Sequence, residues 1–256
     1  MGLISVGDVP DRSRHFSNSC SNDACPEGST LDDHDLREFN GVCRLFPLPG
    51  VVIFPHNVVP LHIFEPRYIQ MTEDSLATDR LVAIVQLAHP PQFRDDGNPE
   101  VEEVACLGRI LNYDRLPDGR YNYLLLGRKR IRIRRELPGP KLYRSAEVDI
   151  LEDVYPDEPD PAAQAELTRL FRAALQRQMG EVDPDLSRML ESDISLGVLS
   201  DIIAHALNLP SPMKQAFLVN VHVTRRADAL LKILRQTLED PSPTGPRSFP
   251  PDFSSN

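Results

Sequence analysis

LFPLPGVVIFPHNVVPLHIFEPRY, residues 45 to 68, carries prolines at 47, 49, 55, 60 and 66 in a stretch otherwise rich in Val, Ile, Leu and Phe. Proline removes a backbone donor and fixes φ, so this stretch is neither one helix nor a central strand. Residues 45–48 and 58–64 read as two extended strands, and PGVVIFPHN at 49–57 reads as a long loop between them. Val51, Val52, Ile53 and Phe54 make that loop too apolar for water, since burying each contributes about 1.5–3 kcal/mol. Two destinations follow. Either these side chains close the end of a barrel, or part of the proline-stiffened loop stays exposed and receives an unfolded segment of another protein. A rigid loop loses little entropy on binding, which suits a weak, sequence-tolerant apolar site. The candidate peptide-binding residues are therefore Val51, Val52, Ile53, Phe54, Pro55 and His56.

Outward from this stretch, residues 41–154 mostly alternate with a period of two. Val59, Leu61 and Ile63 face one way, and Ala146, Val148 and Ile150 do the same later in the chain. LVAIVQLA at 81–88 suits a buried strand, and Pro66 opens a single helix running to about Ala77. LPDGR at 116–120 predicts a hairpin turn with Gly119 in the left-handed position. In the strand that follows, the apolar phase shifts from Leu124 and Leu126 to Ile131 and Ile133, which predicts a bulge at Gly127. Such a bulge bends a strand as a small closed barrel needs.

From about 160 to 239 the period becomes 3.6. Leu167, Leu170, Phe171, Ala174 and Leu175 form one stripe; Leu196, Leu199, Ile202, Ile203, Ala206 and Leu207 form another. Ser211-Pro212 opens a further helix, and Thr224 caps a last one carrying Leu230, Leu231, Leu234 and Leu238. The expected organisation is α+β. A polar arm spans 1–40, a β-rich part 41–154, a helical part 155–239 and a proline- and serine-rich tail 240–256.

The order of these features resembles the N-terminal, substrate-binding domain of the Lon protease family, in its standalone bacterial form, and also the Lon-like domain of cereblon. The resemblance is carried by FPLPGVVIFPHNVVPLHIFEPRY at 46–68, LPDGRYNYLLLGRKRIRI at 116–133, and ISLGVLSDIIAHALNLPSPMKQAFLVNVHVTRRADALLKIL at 194–234. One departure is His56-Asn57, where related sequences often place glycine after the proline. The resemblance implies a PUA-like β pseudobarrel followed by a C-terminal α-helical bundle. It also implies a noncatalytic module that binds polypeptide segments or a protein partner, such as an adaptor in protein quality control.

The chemistry of the sequence agrees with a module that is not an enzyme. There is no G-x-x-x-x-G-K-[ST] phosphate loop and no G-x-S-x-G elbow. The histidines lack ligand spacing, and Cys20, Cys25, Cys43 and Cys106 read as free thiols, so neither cofactor nor metal is expected. Asp201 and His205, four apart, read as a helix-surface pair, while Glu65 and Arg67 read as cap and ion-pair residues. No signal peptide or membrane span is evident, and the expected location is the cytoplasm. A monomer or weak homodimer is expected.

GRKRIRIRRE places six basic residues between Arg128 and Arg135, and Arg130, Arg132 and Arg134 would share one face. PUA-like folds include RNA binders, so a basic stripe facing RNA is one alternative; an assembly protein without substrate is another. Against RNA stand a net charge of −10, few aromatic neighbours, and the acidic residues of 152–200, available to pair with the stripe.

Overall fold

The computed structural model describes residue 36 and residues 39–239, except 89, 91, 95–96, 180–187, 189, 191 and 193. Six strands are β1 (Val42–Leu48), β2 (Val58–Ile63), β3 (Leu81–Gln86), β4 (Val104–Arg115), β5 (Tyr121–Leu137) and β6 (Arg144–Leu151). Among the described residues, helices run over α1 (Pro66–Leu76), α2 (Pro161–Met179), α3 (Leu196–Ala206), α4 (Ser211–Val219) and α5 (Val223–Glu239). The architecture is mixed α+β.

The sheet runs in the order β2-β5-β4-β3-β1-β6, with a further pairing of β5 to β6. The last pairing joins five ladders, β5-β4-β3-β1-β6-β5, into a closed circuit. The length of β5 makes this geometry workable. Its first half, Tyr121 to Leu126, lies between β2 and β4, and its second half, Arg130 to Leu137, pairs with β6. The two halves meet at the expected bulge: Gly108 pairs with Gly127 while Leu107 pairs with Lys129. The turn before β5 also takes its expected form, with Gly119 at φ +86° and the Leu116 N–H donating to Arg120 O.

Alternation then sorts the apolar side chains into two cores. Cys43, Leu45, Ala83, Leu107, Ile131 and Val148 belong to a cluster supplied by all five strands of the circuit. The intervening residues of those strands, such as Phe46, Val82, Ile84 and Cys106, join a larger cluster on the other face. That cluster continues through Tyr68 and Met71 of α1 and into Leu167, Leu199, Leu218, Leu230 and Leu234 of the later helices. Both α2 and α3 pack on α5, and α4 contacts β4.

Helix boundaries follow local chemistry. Pro66 stands at the start of α1, where its missing N–H costs nothing. The Glu65 carbonyl accepts from the Tyr68 and Ile69 N–H groups, but the Glu65 side chain does not cap; it pairs with Arg67 instead. Ser195 caps α3 by accepting from the Val198 N–H at 3.3 Å. The last helix begins at Val223, one residue before Thr224, so Thr224 lies inside α5 and is not its cap. Among the described residues no helix is long and apolar enough to cross a membrane.

Candidate functional site

The loop at 49–57 answers the question posed by its sequence. Val52, Ile53, Phe54 and Pro55 are buried, Val51 is half-buried, and Pro49, Gly50 and His56 are exposed. Val52, Ile53 and Phe54 belong to the larger core shared with the helices, outside the cluster that the closed circuit supplies. The loop is therefore neither an open apolar site nor a plug inside the circuit. It is a wedge between β5 and α3. Its Phe54 carbonyl passes so near Gly127 that a Cβ there would collide with the oxygen. The His56 N–H donates to Gly127 O at 2.8 Å, and the Gly127 N–H donates to Asn57 O at 2.9 Å. Buried Asn57 ties the wedge down by donating from Nδ2 to Pro55 O at 3.0 Å and to Asp201 O at 3.4 Å. His56 itself has φ +65°, in the left-handed region that favours glycine.

What the loop leaves exposed is the strand that follows it. Among the described residues β2 has β5 as its strand neighbour and otherwise forms an edge. Val58 lies opposite Leu126 and Pro60 opposite Leu124, so these four apolar residues form a block on one face. Val58 is 47% exposed and Leu124 37%. Because the Gly127 N–H bonds to Asn57 O, odd-numbered positions of β2 bond to β5 and even-numbered ones turn their backbone groups to the free edge. Pro60 occupies one of these even positions, where its absent N–H breaks no ladder bond.

The basic strand has a different destination from the one its alternation suggests. Arg128 and Arg130 are buried, so they are not part of a solvent stripe. Arg132 and Arg134 are exposed. Arg134 pairs with Asp149, and Arg135 with Glu147, its Nε donating to Oε2 at 2.8 Å. Lys129 Nζ lies 3.0 Å from Glu152 Oε2. The acidic residues that follow in sequence thus neutralise much of the run.

Arg130 is held in a buried charge cluster that joins strands to helices. Its Nη1 donates to Asp201 Oδ2 at 2.9 Å and to Asp153 Oδ1 at 3.2 Å, and its Nε donates to Leu218 O at 3.0 Å. A second guanidinium, Arg226, donates to both oxygens of Asp153 at 2.8 and 2.6 Å and lies 3.6 Å from Asp201. Asp201 is accordingly buried and partnered by arginine, in contrast to the surface pair with His205 that its spacing suggests. One signal of the cluster is present in the sequence: Arg226 lies on the same helical face as Val223 and Leu230, all three fully buried.

These groups serve structure. Burial pushes the Cys43 and Cys106 thiols up to about 12, far from the thiolate a nucleophile requires. Burial, with Lys214 nearby, pushes the His205 imidazole down to about 4, and burial lowers the Lys214 ammonium to about 8. Lys214 Nζ donates to His205 O at 2.7 Å. Cys20 and Cys25 lie outside the described residues.

Comparison with known proteins places this geometry. Residues 42–236 match the family model of the ATP-dependent protease La (LON) substrate-binding domain. Lon protease 2 of Desulfotalea psychrophila is 29% identical over 198 residues, covering 76% of this chain and 25% of that protein. Lon protease 2 of Myxococcus xanthus is 26% identical over 202 residues, covering 77% and 24%. The chain thus spans about a quarter of the length of these curated relatives. The N-terminal domain of the Mycobacterium avium complex Lon protease shares the fold, with TM-score 0.60 and 19% identity over 76% of this chain and 98% of that one. The Lon N-terminal domain protein of Xanthomonas campestris superposes with TM-score 0.56 at 24% identity, covering 75% and 97%. By the reach of the family match across strands, wedge and helices alike, the chain belongs to the LON substrate-binding domain family.

Proposed function

We propose that this chain is a noncatalytic recognition domain that captures unstructured polypeptide segments, acting as an adaptor in protein quality control. In this reading the closed circuit of strands is a PUA-like pseudobarrel and α2 to α5 are its helical bundle. The observation that carries the reading is the block of exposed Val58, Pro60 and Leu124 with half-buried Leu126, set at a strand edge and backed by the buried loop. A stiff apolar face beside free backbone groups suits an extended segment of loosely specified sequence. Val51 to His56 take part from beneath, as the support that fixes the height and tilt of β2. Basic-strand recognition of RNA is the weaker reading, because Arg130 is consumed inside the fold and Arg134 has an acidic partner.

The test is fluorescence anisotropy of labelled, unstructured peptides against the wild type and a Val58→Ser/Leu124→Ser variant. Both positions are exposed, so the variant folds. Wild type binds the apolar-rich peptides, and the variant binds them about fivefold or more weakly. Failure of every peptide to bind, or equal affinity in the variant, refutes the site. Sedimentation of the same samples shows whether a second copy of the chain covers the block instead.

A further inference from the structure

A cavity of about 480 Å³ lies away from the apolar block, between the β5–β6 loop, the start of α1 and the end of β1. Its size is within the range of pockets that hold small groups. Four cationic side chains line it, Arg67, Arg94, Lys141 and Arg144, against one carboxylate, Glu136. Glu65 and Asp74 pair with Arg67 and Lys141 from behind. Four cations against three carboxylates leave one positive charge, in a protein whose net charge is −10.

The walls are fixed in advance. The Leu142 N–H donates to Gln70 Oε1 at 2.9 Å, Tyr143 OH donates to Asp74 Oδ2 at 2.8 Å, and Lys141 Nζ lies 2.8 Å from the same oxygen. Three consecutive residues of the β5–β6 loop are therefore held by α1. On the other side, Arg144 Nε donates to Glu136 Oε2 at 2.7 Å, and Arg94 pairs with Glu136 Oε1. Burial alone would raise the Glu136 carboxyl, but hydrogen bonds from Arg144 and Arg94 outweigh it and hold it below the usual range. Both Glu136 oxygens are thus occupied, and this carboxylate is a fixed part of the wall.

Donor capacity remains on the opposite side. Arg67 spends Nε and Nη2 on Glu65, which leaves Nη1, and its guanidinium lies 4.5 Å from the centre of the Tyr68 ring. Lys141 is bonded to one carboxylate and carries three protons. Beside them Leu142 is 63% exposed although its backbone is pinned. The cavity thus offers unspent cationic donors next to a fixed apolar side chain.

We infer that this pocket selects acidic-apolar polypeptide segments: an Asp or Glu carboxylate enters between Arg67 and Lys141 while a neighbouring apolar side chain rests on Leu142. The inference rests on the polypeptide-binding function proposed above and adds a chemical preference to it. Nucleic acid fits poorly, since one net positive charge cannot follow a row of phosphates.

The experiment compares three labelled peptides of one apolar pattern, carrying Glu and Asp, Gln and Asn, or Lys at the polar positions. At low salt the wild type binds the acidic peptide about three- to tenfold more tightly than the amide peptide, and added salt narrows the gap. An Arg67→Gln/Lys141→Gln variant, changed only at half-exposed side chains, loses that gap and keeps its affinity for the amide peptide. Equal wild-type affinity for acidic and amide peptides, or a gap that survives in the variant, overturns the inference and leaves the general function standing. Binding of none of the three peptides overturns both.

Discussion

Arg130 on β5 and Asp201 on α3, 71 positions apart in sequence, face each other as a two-pronged ion pair sealed from solvent. The pair joins the strand that organises the sheet to the helix that covers it. Removing Asp201 leaves two buried guanidinium groups, Arg130 and Arg226, to share the single carboxylate of Asp153. Asp201→Ala therefore costs about 3–5 kcal/mol, measured as a shift of the urea midpoint. Arg130→Met combined with Asp201→Leu costs clearly less than either single change, because no charge is stranded. A double variant as unstable as the sum of its parts contradicts this account.

The wedge makes two predictions of opposite sign across one contact with β5. At Gly127 an added Cβ meets the Phe54 carbonyl, which is backbone and cannot rotate away. Gly127→Ala destabilises by about 3 kcal/mol or more, near the upper end of overpacking costs. Gly108→Ala is milder, since its obstacle is the Leu125 side chain. Across the same contact His56 holds φ +65° with an exposed side chain, so His56→Gly relieves backbone strain and is neutral or stabilising by up to about 1 kcal/mol. Thermal melts of the three variants check the order.

Acid sensitivity has a specific source in His205. Burial lowers its folded value to about 4 from an ordinary 6.5, and its Nδ1 has no partner among the described residues. The unfolded chain therefore takes up the proton first as pH falls. Stability from the neutral ring is complete above about pH 6.5 and is lost as pH drops towards 4, by about 3 kcal/mol at most. His205→Gln flattens this part of the curve between pH 7 and 4, while carboxylate titration leaves its own slope in both proteins. Identical curves for wild type and variant rule the histidine out.

Much of the fold was legible because local chemistry determines it. Pro66, the LPDGR turn and the phase shift at Gly127 each act within a few residues, and each is found where the sequence places it. The leucine stripes of α2 and α3 are buried as their period requires. Legibility failed where a face is covered by something distant. Alternation puts Arg130, Arg132 and Arg134 on one side of a strand, but only tertiary structure reveals that α3 and α4 cover Arg130 and leave Arg134 exposed. The same gap concealed the fate of Ile53 and Phe54. Their hydrophobicity demanded burial, while the burying surface comes from elements as far away as the Asp201 carbonyl. For the polar cavity no motif exists, since its cations come from three separate segments.

The closed circuit also sets an order of events on the ribosome. β1 pairs in parallel with β3 and antiparallel with β6, both of which are synthesised later. At ordinary translation speeds the roughly hundred residues from Val42 to Arg144 take about 5–20 s to appear. During that interval Leu45, Phe46 and Leu48 have no completed neighbourhood to enter, so the newborn β1 is itself an apolar segment of the kind a chaperone retains.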